Sequence, residues 1–140
     1  MEMVPFGKTG CTVSVMGLGC GGHSRLGLSR GGDDAAAVAT VRAALELGVN
    51  LIDTAEGYQT ERQVGEGIKG WPREKLVLAS KLSYRGDDGW KDEARIRKSL
   101  EQSLEKLGTD YLDVYQLHGL GLDDYQRVSE NVFPVLDKLK

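Results

Sequence analysis

Three ionisable residues close apolar runs in this sequence. Asp53 follows Leu51-Ile52, Lys81 follows Leu78-Ala79-Ser80, and His118 follows Tyr115-Gln116-Leu117. Tyr58 lies in the loop just after Asp53, near enough in sequence to join them. A carboxylate, an ammonium, an imidazole and a phenol brought together shift one another's titration and can hold or pass a proton. Each alone has an ordinary explanation: a turn cap, a solvated lysine, a hydrogen-bonded structural histidine, a loop aromatic. Their repeated placement at the ends of successive apolar runs is what points to acid–base chemistry.

The elements around them explain the placement. Residues 3–15 predict a hairpin, with Gly7-Lys8-Thr9-Gly10 as the turn and Thr12-Val13-Ser14-Val15 alternating with period two. Pro5 cannot donate to a ladder, so its strand is expected at an edge. Residues 16–20 then predict a short buried strand that runs into a glycine-rich loop over 21–32. Asp33 or Asp34 can cap a first helix, with Val38, Val41 and Leu45 on one face and Gly48 at its end. A strand over 49–52 follows. Thr60 and Gln63 have capping-box spacing before a helix that carries Val64 and Ile68. Leu76-Val77-Leu78-Ala79 is continuously apolar, as a parallel strand covered on both faces would be. Asp92 precedes a helix with Ile96, Leu100, Leu104 and Leu107 at helical spacing, closed by Gly108. Tyr111 to Leu117 predicts the next strand. Val132, Leu136 and Leu139 predict a last helix, with Pro134 tolerable only in its first turn.

The order is therefore a hairpin and then four strand–helix units in one domain, 1–140. Alternating units of this kind require a parallel sheet with right-handed crossovers. Four of them suit either a small doubly wound sheet or half of a (β/α)₈ barrel, which takes about 250 residues. Three ionisable groups at C-terminal strand ends match the face on which barrel enzymes build their sites. The last helix reaches Leu139-Lys140 with no capping glycine, as expected of half a barrel.

Composition narrows the partners. With 140 residues, a net charge of −3 and a pI near 5.4, the chain predicts neither nucleic acid nor an anionic membrane surface as partner. Arg95, Arg97 and Lys98 are interleaved with Glu93, Glu101 and Glu105 and predict a solvated helix face. No apolar run approaches the ~20 residues that span a bilayer, and the N-terminus lacks a signal-peptide pattern. Cys11 and Cys20, with only His23 and His118 for histidines, predict no disulfide framework and no metal site. A cytoplasmic location is the expectation. Gly17-Leu18-Gly19-Cys20-Gly21-Gly22 lacks the frame of a Rossmann phosphate loop, because no helix opens directly from it.

Taken together, these motifs resemble the aldo-keto reductase family. Asp53-Thr54-Ala55-Glu56-Gly57-Tyr58, Thr60-Glu61 and Val64-Gly65 are similar to its Asp-Thr-Ala, tyrosine and Ser/Thr-Glu signature. Phe6 to Gly10, Val13-Ser14 and Gly17 to Gly21 resemble its N-terminal hairpin and first barrel strand. Ser80-Lys81 and Tyr111 to His118 resemble its next two landmarks. The resemblance runs from about residue 2 to about 118.

It implies a (β/α)₈ TIM barrel, here the hairpin and first four units, and reduction of an aldehyde or ketone to an alcohol with NADPH. Tyr58 would be the general acid. A free phenol, with a pKa of about 10, donates poorly at neutral pH, and Lys81 at hydrogen-bond distance would help by favouring the phenolate. Asp53 would hold Lys81, and His118 would orient and polarise the carbonyl. Cys20, Gly21 and Asp53 would touch the cofactor, with the adenosine-phosphate grip left to later strands. The family commonly has glycine where Gln59 follows the tyrosine, so loop freedom differs here. Trp90, in the segment 83–91, could line a substrate pocket or lie under a loop. Partners would be a small carbonyl substrate and either the C-terminal half of the barrel or a second copy of the chain. Two alternatives stand beside this: a non-catalytic regulatory or binding subunit of the same family, and a self-associating half-barrel scaffold.

Overall fold

The computed structural model describes residues 1–140. Strands β1 (Met3–Pro5) and β2 (Thr12–Ser14) form the antiparallel hairpin, with Pro5 opposite Thr12 on a ladder of two edges. Gly7 and Gly10 turn the chain at φ +59° and +82°, values that cost a glycine little. Next come β3 (Leu18–Gly19), α1 (Asp34–Glu46), β4 (Leu51–Asp53), α2 (Glu61–Ile68) and β5 (Val77–Leu82). A small hairpin, β6 (Arg85–Gly86) and β7 (Gly89–Trp90), precedes α3 (Glu93–Leu107), β8 (Val114–Leu117), α4 (Tyr125–Asn131) and α5 (Phe133–Lys138).

Strands β3, β4, β5 and β8 lie side by side in chain order, all parallel. That order agrees with the barrel the resemblance implies and not with the doubly wound sheet that alternating units also allow. A doubly wound sheet reverses its winding at a switch point and covers both faces with helices. Here α1 packs on α2 and α2 on α3 in one layer. One core joins Val41 and Leu45 of α1, Val64 and Ile68 of α2 and Leu107 of α3 to Ile52 and Leu78 of the sheet. The sheet is a barrel wall. Period-two alternation turns Ile52, Leu78 and Leu82 out to the helices and Asp53, Ala79 and Lys81 to the inner face.

Asn50, just before β4, ties the β1–β2 hairpin beneath the sheet. Its amide donates to Thr12 O at 3.0 Å and accepts from Ser14 N at 2.6 Å. The hairpin therefore closes the end of the wall opposite the C-terminal strand ends.

Capping follows the sequence at two helices and departs from it at a third. Asp33 accepts from Ala36 N at 2.8 Å and Asp92 from Arg95 N at 2.9 Å. Thr60 forms no capping box. Its hydroxyl bonds that of Thr54 at 2.9 Å, both fully buried, and Gln63 instead donates to Asp34 at 2.8 Å. Tertiary partners outcompete the local ones. On α3 the buried face is Ile96, Ser99, Ser103 and Leu107, while Leu100 and Leu104 are half-buried. Small serines let α3 approach closely, and the two leucines line a 490 Å³ groove with Leu112, Leu136 and Leu139. The single last helix expected from the sequence is two. Pro134 lies in the first turn of α5, and the break at Val132 spares the carbonyl clash it would cause inside a longer helix.

Gly65 marks the tightest helix contact. A Cβ there would sit 2.4 Å from Lys106 O and 2.9 Å from Leu107 O, both backbone atoms of α3. Alanine normally stabilises a helix interior by about 1 kcal/mol relative to glycine. Gly65→Ala is expected to do the opposite, destabilising the fold by about 2 kcal/mol as α2 is pushed off α3. A lower denaturant midpoint checks this; an unchanged or higher midpoint refutes it.

Candidate active site

The C-terminal strand ends bring the four side chains together. Asp53 ends β4, Lys81 lies near the end of β5, and His118 directly follows β8. The register places Asp53 beside Ala79 and Lys81 beside Gln116, so the three stand on neighbouring strands of one face. Lys81 Nζ donates to Asp53 Oδ1 at 2.5 Å and to Thr54 O at 2.9 Å. The lysine side chain is 11% exposed and the aspartate 37%. Such a position for an ammonium needs its carboxylate.

Tyr58 reaches the cluster from a 3₁₀ turn, Glu56–Tyr58. Its ring meets the His118 ring edge to face, with centroids 5.0 Å apart and planes at 88°. Lys81 Nζ lies 4.8 Å from the Tyr58 ring centroid. The ammonium thus addresses the ring face, while its hydrogen bonds go to Asp53 and Thr54. The direct bond to the phenol expected from the resemblance is not formed. Catalytic hydrogen bonds often tighten only around a bound substrate.

Gln59 continues the turn at φ +60°, the left-handed region. The backbone conformation that glycine would adopt freely is kept, at a cost of order 1 kcal/mol. The Thr54–Thr60 hydroxyl pair staples the two ends of this loop.

The three residues read as cofactor contacts differ in what they present. Cys20 is fully buried, with Sγ turned toward Leu18 O at 3.8 Å, so its side chain offers no surface to a ligand. Burial, then the Asp53 charge, pushes its thiol up to about 12 against the opposing pull of Lys81, and it stays protonated at neutral pH. Gly21 lies against Tyr58: a Cβ there would be 2.5 Å from the ring. Asp53 keeps its second oxygen free of protein partners.

Trp90 packs beside Tyr84, ring centroids 5.4 Å apart, with the guanidinium groups of Arg85 and Arg127 over its ring. It is partly buried and packs against the second core, with Leu82, Ile96 and Val128. A 700 Å³ depression beside Trp71, Arg73 and Gly108 lies by the C-terminal ends of α2 and α3, away from the four residues.

Two carboxylates inside the signature motifs went unassigned from sequence. Glu61 is 1% exposed and accepts from Ser80 Oγ at 2.7 Å, fastening α2 to β5 behind Lys81. Glu56 accepts from Ser83 N at 2.6 Å and Lys91 Nζ at 2.8 Å. Burial pushes the Glu56 carboxyl up, but the Lys91 and Ser83 hydrogen bonds and the Lys91 charge outweigh it and hold it below the ordinary range. A loop glutamate reads as solvated, and its partners lie 27 and 35 residues away. Only its place between Asp53 and Tyr58 could have marked it.

No group of three or more His, Cys, Asp or Glu side chains could hold a metal ion, and no helix is long and apolar enough to cross a membrane. What the fold and the site define together is part of a (β/α)₈ barrel with a cluster of ionisable side chains at the C-terminal strand ends. The profile of the aldo/keto reductase family matches residues 16–140, and the chain belongs to that family. It is 37% identical over 149 aligned residues to L-galactose dehydrogenase of Arabidopsis thaliana, covering 100% of this chain and 45% of that protein. It is 33% identical to an NADH-specific methylglyoxal reductase of Escherichia coli, covering 48% of it. Among solved structures, an aldo-keto reductase from Bacillus halodurans in its holo form superposes with a TM-score of 0.80 at 34% identity, over 100% of this chain and 46% of that one. One from Bombyx mori, in complex with NADP, gives 0.67 at 32% identity, over 84% and 38%. The chain spans about half the length of these relatives.

Proposed function

We propose that the complete protein reduces an aldehyde or ketone to the alcohol, with Tyr58 as proton donor and NADPH as reductant. The observation that supports this best is the convergence of Tyr58, His118 and the Lys81–Asp53 pair at the C-terminal strand ends. A nicotinamide suits the residues present. Gly19 and Gly22 leave open space where a side chain would stand, and the free oxygen of Asp53 can accept from a ribose hydroxyl. When bound, that group supplies the hydride to the carbonyl carbon. The protein's own residues do the rest. His118 orients the carbonyl by donating to its oxygen. Tyr58 gives its proton to that oxygen as negative charge gathers there. Lys81, held by Asp53, keeps its positive charge over the face of the Tyr58 ring as the proton leaves. Gly21 gives the Tyr58 ring its place, and Cys20 acts through its backbone.

NADPH is preferred over NADH in this proposal because the Bombyx mori neighbour carries NADP; the Escherichia coli relative is named NADH-specific. Beyond the cluster, β3 and β8 each keep one unpaired edge. Further strands of the same barrel, or a second copy of the chain, would add there.

The complete gene product, incubated with NADPH and a panel of aldehydes and ketones, is expected to consume the cofactor only with carbonyl present. NADH run in parallel reads the preference. Cofactor binding without turnover on any carbonyl would sink the reductase reading and favour a binding subunit.

A further inference from the structure

We infer that the Glu56–Lys91 ion pair is a positioning device that sets where Tyr58 stands over Lys81 and His118; its effect on turnover rests on Tyr58 being the proton donor. Glu56 begins the single 3₁₀ turn that ends in Tyr58, so the two side chains share one short, stiff piece of backbone. One carboxylate oxygen of Glu56 takes two donors from opposite feet of the β6–β7 hairpin. Ser83 N, 2.6 Å away, lies two residues beyond Lys81; Lys91 Nζ, 2.8 Å away, lies just before α3. Lys91 Nζ also donates to Ser99 Oγ of α3 at 2.7 Å, and Lys91 N to Tyr84 O at 3.0 Å. The carboxylate therefore pins the tyrosine turn to the end of β5, to the hairpin and to α3 at once.

The clamp is stiff and enclosed. Lys91 and Glu56 side chains are 13% and 18% exposed, so the pair is weakly screened. The turn also presses on the site itself: a Cβ at Gly57 would lie 3.5 Å from His118 Nδ1 and 3.9 Å from Ser83 Oγ. Moving Glu56 off its two donors lets Gly57 and Tyr58 shift against His118. Glu56 does not touch the Lys81–Asp53 pair, and both its hydrogen bonds go to protein donors. It positions and does not donate.

The test uses the complete gene product with ¹³C-labelled tyrosine, the Tyr58 signal assigned from Tyr58→Phe. Glu56→Ala is expected to move the Tyr58 ring signal as its edge-to-face contact with His118 loosens. It is also expected to lower kcat about 100-fold, the size of loss that misplacement by about an ångström brings, with nicotinamide affinity within about twofold. Glu56→Gln keeps an acceptor for Ser83 and is expected to recover most of both. Lys91→Met, which leaves Glu56 in place, should reproduce part of the shift and serves if Glu56→Ala fails to fold. A Tyr58 signal that stays put in folded Glu56→Ala or Lys91→Met overturns the inference. A wild-type protein with no turnover, in which the signal still moves, overturns the reductase reading and leaves the positioning role standing.

Discussion

Tyr58→Phe is expected to lower carbonyl reduction by the complete protein about 10²–10⁴-fold, the range a positioned general acid contributes. The substitution removes one oxygen and leaves the ring, so the edge-to-face packing on His118 at 5.0 Å and the approach of Lys81 Nζ at 4.8 Å survive. The Lys81–Asp53 hydrogen bond does not involve the phenol and stays intact. Nicotinamide affinity should therefore stay within about twofold, while the loss falls on kcat and kcat/KM together, as for an interaction made only in the transition state. Steady-state kinetics beside a fluorescence titration of the cofactor separate the two. If the phenylalanine variant keeps more than about a tenth of wild-type turnover, Tyr58 is not the proton donor. The neighbouring thiol cannot take over, because Cys20 is fully buried and its pKa is pushed up to about 12.

Asp113→Ala is expected to have the largest effect on stability, a loss of about 3 kcal/mol. Asp113 stands just before β8 and belongs to a knot that fastens the start of that strand to β5. Its Oδ2 accepts from Arg73 Nη2 and from Leu78 N, each at 2.8 Å. Arg73 also donates to Thr109 Oγ1, Leu76 O and Tyr111 O, and its guanidinium lies 3.7 Å over the Tyr111 ring. The side chains are only 19% and 16% exposed. Alanine leaves a shielded guanidinium without its counter-charge and the Leu78 N–H without its acceptor, which is why removing one partner costs more than the pair contributes. Asp113→Asn, which keeps an acceptor for Leu78 N, should lose about half as much. The exposed Lys140–Asp137 pair is the contrast: its removal should change stability by less than about 0.5 kcal/mol. Urea midpoints for the three variants decide it, and an Asp113→Ala loss as small as the surface pair's would refute the knot.

Local chemistry in the sequence settled a good deal of this molecule. The hairpin turn follows from Gly7 and Gly10, which reach left-handed φ without a side-chain clash. The starts of α1 and α3 follow from Asp33 and Asp92, whose carboxylates satisfy N–H groups three residues on. The strand cores follow from apolar runs, and Asp53, Lys81 and His118 could be placed at strand ends because each directly ends such a run. These signals are written within a few residues of where they act.

What depended on distant residues was decided only by the tertiary structure. Alternating units alone allow a barrel wall or a doubly wound sheet, and the sequence favoured the barrel only through its motifs; the strand order and the single helix layer decide it physically. The Thr60 capping box was overruled by Thr54, and the α3 stripe turned toward Ser99 and Ser103 because small side chains suit a close approach to the sheet. Trp90 found its place through Tyr84 and two arginines, one of them 37 residues further on. Glu56 carries no signal of its own in the sequence, because its partners Ser83 and Lys91 lie 27 and 35 residues away. In these cases the deciding partner is remote in sequence, and at Thr60 and Glu56 a shielded polar group takes the partner the packing delivers, since leaving it unpaired costs more than the local preference returns.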